Sequence, residues 1–155
     1  MDAKEALERW TDAIASRDAE RILDTVADDL EIYVEDMPRP VLVGKEALRV
    51  LLAGLSSCED IAIEKRKVVA CGDQAAALMR MRAKMRSDVE IFGEKVPTAG
   101  KELAVTAALF VTVNADGKIT RVERVRDNLA VARQLGITPA HMQSLIEKLE
   151  QRLAA

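Results

Sequence analysis

Ala75-Ala76-Ala77-Leu78-Met79-Arg80-Met81-Arg82-Ala83-Lys84-Met85-Arg86 is the stretch on which the fold turns. Its period-two alternation marks a long strand, because successive side chains of an extended chain point to opposite faces. One face carries Ala75, Ala77, Met79, Met81, Ala83 and Met85; the other carries Ala76, Leu78, Arg80, Arg82, Lys84 and Arg86. An apolar face backed by a cationic one belongs to an antiparallel sheet with one wet side. Parity leaves open which face lines the interior, since a β-bulge reverses it. Either the methionines face inward and the cations meet solvent or a second subunit, or Arg80 and Arg82 line the interior.

Downstream, Phe92-Gly93 to Gly100-Lys101 reads as a loop or loose hairpin connection. Residues 103–113 form a long apolar strand, Asn114-Ala115-Asp116-Gly117 a hairpin turn, and residues 119–126 the returning strand. A short helix ends at Gly136 as its C-cap. Thr138 caps a final helix with Pro139 in its first turn; its stripe is Met142, Leu145, Ile146, Leu149 and Leu153. Upstream, residues 61–70 are a strand closed by Gly72-Asp73. A helix starting near Gly44 buries Leu48, Leu51, Leu52 and Leu55. Residues 30–35 are a strand stopped by Asp36-Met37-Pro38-Arg39-Pro40. Leu7, Trp10 and Ile14 space a first helix, with Ala3, Ala6 and Ala13 filling the stripe. Asp18 caps a short second helix that carries Ile22, Leu23 and Val26 and ends at Asp28-Asp29. Helices followed by a strand meander imply an α+β fold, with helices on one face of a curved sheet.

The chain's 155 residues fit one domain able to bury its own core. A net charge of -3, with both signs mixed along the chain, lacks the basic field that a nucleic-acid binder needs. Four aromatics, Trp10, Tyr33, Phe92 and Phe110, do not supply a base-stacking platform. No apolar run reaches the ~18 residues of a membrane span, and the charged start is unlike a signal peptide, so a cytoplasmic protein is expected. Cys58 and Cys71 bracket a strand that holds them roughly 30–40 Å apart at ~3.3 Å per residue, beyond the ~7 Å limit of a disulfide. His141 is the sole histidine. Neither a metal nor a cofactor is expected, and Ser-His-Asp or Cys-His chemistry would rest on that one ring.

Three segments carry a family likeness: Val26-Ala27-Asp28-Asp29, Pro97-Thr98-Ala99-Gly100-Lys101, and the stretch from Gly117-Lys118-Ile119 to Arg133-Gln134-Leu135-Gly136. In order and spacing they resemble the SnoaL-like polyketide cyclase branch of the nuclear transport factor two-like fold, over residues 5–137. The resemblance implies a curved, antiparallel or mixed sheet forming a cone, N-terminal helices on its concave face, one largely apolar pocket, and a homodimer. Residues 1–137 would be the cone domain and residues 138–155 an appended amphipathic helix.

Relatives of the cyclase and limonene-epoxide hydrolase type place a working aspartate seven residues after the hairpin glycine; here that position is Arg124. Asp127, three residues on, matches a recurrent family acid. The epoxide hydrolases' Arg-x-Asp falls on Arg80 and Arg82, so the acid is lost. Of the steroid isomerase groups, the phenol falls on Trp10, the second oxyanion acid on Leu109, and the base near Val34 or Asp36. Neither limonene-type epoxide hydrolysis nor Δ5-3-ketosteroid isomerisation is therefore expected.

The sequence expectation is a pocket for a small, mostly apolar molecule, with an acidic head if arginines face it. Trp10, Tyr33, Arg80, Arg82 and Arg124 are the ligand-binding candidates. An acid–base enzyme of isomerase or cyclase type would use Asp127 or Asp36, although Asp127 also suits a helix cap and Asp36 a turn. A dimerisation or partner-binding module is the third reading. His141, in the first turn of the last helix, is expected in solvent.

Overall fold

The computed structural model describes residues 2–35, 37–91 and 93–155, with Val50, Leu51, Ala53, Gly54, Ile91 and Leu153 described by backbone alone. Helix α1 (Ala3–Ser16) starts at Asp2, whose side chain accepts the Glu5 N–H, and α2 (Ala19–Leu23) starts at Asp18, which accepts from Arg21. The second helix does not reach Asp28. Strand β1 (Val26–Val34) begins straight after Thr25, whose hydroxyl turns back onto the Ile22 carbonyl at 2.7 Å while its own carbonyl accepts the Ile119 N–H. Those bonds, and the burial of Val26 against Ile119, draw the β-branched pair into the sheet.

A two-residue edge strand that periodicity did not show, β2 (Leu42–Val43), precedes α3 (Lys45–Leu52) and a 3₁₀ turn at Ala53–Ser57. Then come β3 (Cys58–Cys71), β4 (Gln74–Met85), β5 (Val89–Ile91), β6 (Glu94–Val96), β7 (Glu102–Val113) and β8 (Ile119–Arg126). Helices α4 (Asn128–Leu135) and α5 (Pro139–Ala154) end the chain. The main sheet is open and mixed, in the order β2-β1-β8-β7-β4-β3, with β1 and β8 parallel and all other pairs antiparallel. The region between β4 and β7, expected as a loop or loose hairpin connection, holds the separate β5–β6 hairpin. Cys58 and Cys71 sit at opposite ends of β3, both unpaired.

Burial decides the two faces of β4. Ala75, Ala77, Met79, Ala83 and Met85 are buried on the side where α1 crosses β3, β4 and β7. Arg80, Arg82 and Lys84 stand on the other side. The interior holds two apolar clusters. One joins α1, α2 and α3 to the sheet through Leu7, Trp10, Ile22, Leu30, Leu109 and Val122. The other joins Val131 and Leu135 of α4 to Ile61, Met85, Leu103 and Val105. Leu55 and Ile63 pack against both.

The segments that carry the family likeness clamp α4 in place. Buried Thr98 accepts the Val89 N–H at 3.1 Å and donates to the Ser87 carbonyl at 3.2 Å, tying the loop to the hairpin base. Lys101 reaches the last turn of α4 and donates to the Leu135 carbonyl at 2.9 Å. Gln134 reads the edge of β7 like a strand, accepting the Ala104 N–H and donating to the Ala104 carbonyl. β8 pairs with β7 only as far as Arg126↔Ala107, so Gln134 covers backbone that β8 leaves open.

Candidate functional site

Parallel pairing sets the C-terminal ends of β1 and β8 side by side, with Val34 opposite Arg124. On its other flank β8 matches Val122 to Val111, Arg124 to Leu109 and Arg126 to Ala107. Val111 and Leu109 belong to the buried face, so Val122, Arg124 and Arg126 share it. Two arginines thus interrupt the apolar inner surface between the first cluster, which ends at Leu109, and the second, which starts at Val105.

Their acid comes from the residue just past β1. Glu35 has φ +49, a left-handed conformation that costs a side-chain-bearing residue about 1–2 kcal/mol. Its N–H donates to the Arg124 carbonyl at 2.7 Å, and its carboxylate Oε2 lies 3.5 Å from an Arg124 terminal nitrogen. The contact is single and long, not the two-point fork an arginine can offer. Arg124 Nε and Glu35 Oε1 are buried without a hydrogen-bond partner among the described residues. The two side chains nevertheless keep 33% and 26% of their surface, so the pair borders solvent. Arg126 is more deeply set. Its Nε donates to Asn128 Oδ1 at 2.9 Å. Burial, then the like charge of Arg124, pushes its pKa down to about 10, with Glu35 pulling the other way.

Of the residues singled out from sequence, Arg124 and Trp10 lie on the interior side. Trp10 is 7% exposed within the first cluster, and its indole N–H is buried without a partner among the described residues. Tyr33 lies outside: its ring stacks under the Arg121 guanidinium at 4.1 Å and its hydroxyl bonds to Glu31. Arg80 bonds to Thr106 on the same outer face, and Arg82 is exposed beside it. Asp127 is exposed and caps α4, accepting the Ala130 N–H at 2.9 Å. Asp36 lies outside the described residues. His141 is partly buried instead of free in solvent, with Nε2 3.9 Å from Glu94.

Sequence reasoning missed Arg126 and Glu35. Alternation through Val122, Arg124 and Arg126 was a usable signal for the first. Nothing in the letters marks Glu35, because its inward turn depends on the left-handed kink. Two concavities, of about 330 and 200 Å³, lie elsewhere. The larger is a groove on the outer face by Val69, Ala76, Phe110 and Arg121; the smaller lies between α1 and α2 by Asp12 and Asp24. Among the described residues no three His, Cys, Asp or Glu side chains converge as a metal ion requires, and no helix is long and apolar enough to cross a membrane.

An open mixed sheet with helices on its inner face is the architecture of the nuclear transport factor two-like fold. Residues 7–122 match the SnoaL-like domain, and the chain belongs to that family. No curated protein matches it in sequence. Among solved structures, TsrD from Streptomyces laurentii is similar over 86% of this chain and 94% of its own, at 22% identity and a TM-score of 0.69. A SnoaL-like polyketide cyclase from Agrobacterium tumefaciens matches 87% of this chain and 98% of its own, at 20% identity and a TM-score of 0.65. A limonene-epoxide-hydrolase-like epoxide hydrolase from M. tuberculosis matches 86% and 88%, at 16% identity and a TM-score of 0.67. At these identities the likeness is one of fold.

Proposed function

We propose that this domain takes up one small molecule with an apolar body and an acidic head, held at the inner ends of β1 and β8. The observation that carries the reading is the charge count of the seam: two guanidinium groups, Arg124 and Arg126, face one carboxylate, Glu35. A desolvated guanidinium draws an anion strongly, because the alternative is an uncompensated charge out of water. The apolar clusters on either side, with Met79, Met85, Leu109 and Val105, suit an adaptable hydrocarbon body. The acid–base alternative has less support. Asp127 is committed to a helix cap, and Arg124 stands where the resemblance to the hydrolase type leads one to expect an acid. Neither limonene-type epoxides nor Δ5-3-ketosteroids should be turned over.

Calorimetry with sodium decanoate tests the reading. Wild type should bind, and Arg126→Met should bind at least about tenfold more weakly, since a charge-assisted hydrogen bond contributes about 1.5–3 kcal/mol. No binding by wild type, or equal affinity in the variant, would refute it.

A second copy of the chain is the proposed partner. Val69, Leu78, Phe110 and Val125 occupy two neighbouring cross-strand rows of the outer face and are each 42–54% exposed. A contiguous apolar patch ringed by charge is typical of an association surface.

A further inference from the structure

The hydrogen-bonding capacity left over at the seam is of two opposite kinds. Arg124 Nε is a donor without an acceptor, and Glu35 Oε1 is an acceptor without a donor, both buried, among the described residues. Leaving such groups unmatched is costly, so native proteins rarely keep them without a use. The two side chains touch through one contact of 3.5 Å, between an Arg124 terminal nitrogen and Glu35 Oε2, and the orphaned atoms are ones that this contact does not use. Glu35 is also held there by a left-handed backbone, which local propensity disfavours.

A plain carboxylate meets half of this arrangement. Its oxygens accept from Arg124 and Arg126, but it offers Glu35 a second negative charge and no proton. A neutral alcohol gives Glu35 its donor and leaves Arg126 without an anion. A molecule carrying both groups matches every side: two carboxylates then face two guanidiniums, and the remaining acceptor receives an O–H. We infer that the natural ligand is a hydroxy acid whose carboxylate meets Arg124 and Arg126 and whose hydroxyl donates to Glu35. This rests on the acid-binding reading above and narrows it.

The experiment compares decanoate with 2-hydroxydecanoate and 3-hydroxydecanoate by calorimetry on the full chain, in wild type, Glu35→Ala and Arg126→Met. One of the hydroxy acids should bind wild type about tenfold or more tighter than decanoate, as a hydrogen bond to a buried charge warrants. Glu35→Ala should bring the hydroxy acid and the plain acid to the same affinity, and Arg126→Met should weaken all three. If wild type binds the three acids equally, the hydroxy-acid inference is overturned and the acid-binding reading stands. If it binds none, both fall. A hydroxyl preference that persists in Glu35→Ala also overturns the inference. The wild-type comparison decides the matter even if a variant fails to fold.

Discussion

At the scale of single residues, Arg126 and Gly136 show opposite relations between stability and use. Arg126 is charged and largely buried, with its pKa depressed to about 10 by desolvation first and by Arg124 second. A base whose folded pKa lies below its unfolded value burdens the fold at every pH below the folded pKa, and the burden lifts only as pH rises through it. At neutral pH the penalty is fully present. Arg126→Met should therefore be more stable than wild type by about 1–3 kcal/mol in urea denaturation, as replacing a buried ion by an apolar side chain often achieves. An unchanged or lowered stability would mean that Arg126 is well compensated. Gly136 behaves the other way. Its φ of +68 closes α4, and an added Cβ would run into the Lys101 ammonium, which would swing off the Leu135 carbonyl. Gly136→Ala should cost about 2.5–5 kcal/mol, the sum of a left-handed alanine and a lost charge-assisted bond. A melting temperature equal to wild type would contradict this.

Elements are held by side chains that bridge from one to the next, and α5 is the clearest case. Glu94 of β6 accepts from the Ser144 hydroxyl at 2.7 Å and the Lys148 ammonium at 3.0 Å, with His141 beside it. The Ser144 bond first, and Lys148 next, hold its carboxyl below the usual carboxylate range. A carboxylate depressed in the folded state contributes stability above its unfolded pKa and loses it as pH falls through the folded one. Amide exchange in α5 should therefore speed up in that acid window while α1 stays protected, and Glu94→Gln should show fast exchange at neutral pH too. Equal protection of α5 across the window would show that apolar contact alone holds the helix. Gln134 serves α4 in a similar way, and Gln134→Leu should raise exchange at the Ala104 amide, which it covers.

For the whole molecule, the outer face sets the expectation of a dimer. Three of its cations have local partners: Lys84 with Glu59 at 3.1 Å, Arg80 with Thr106, and Arg121 with Glu123 at 2.6 Å. Exposed pairs contribute only about 0–1 kcal/mol, so in the proposed dimer they would set register while the exposed rows around Leu78 and Phe110 would supply the adhesion. Light scattering at micromolar concentration should find a dimer for wild type and a monomer for Phe110→Asp, whose charge would be buried at the contact. A monomeric wild type would remove the outer face as an interface.

How much of this was legible in the sequence depended on the range of the interaction concerned. The alternation of residues 75–86, the hairpin at Asn114–Gly117 and the caps at Asp18, Asp127, Gly136 and Thr138 are local, set by backbone geometry within a few residues, and the structure carries each of them. The order of helices and strands, and with it the α+β class, followed from those signals. Three things did not. The second helix stopped early because Thr25 and Val26 are claimed by Ile119, far along the chain. The faces of β4 were assigned only when α1 packed against one of them. The seam itself was assembled by parallel pairing of β1 with β8, which brings Glu35 to Arg124 across most of the chain's length. A single sequence records which side chains can share a face; which strands become neighbours depends on the sum of long-range burial, and that sum exists only in the folded chain.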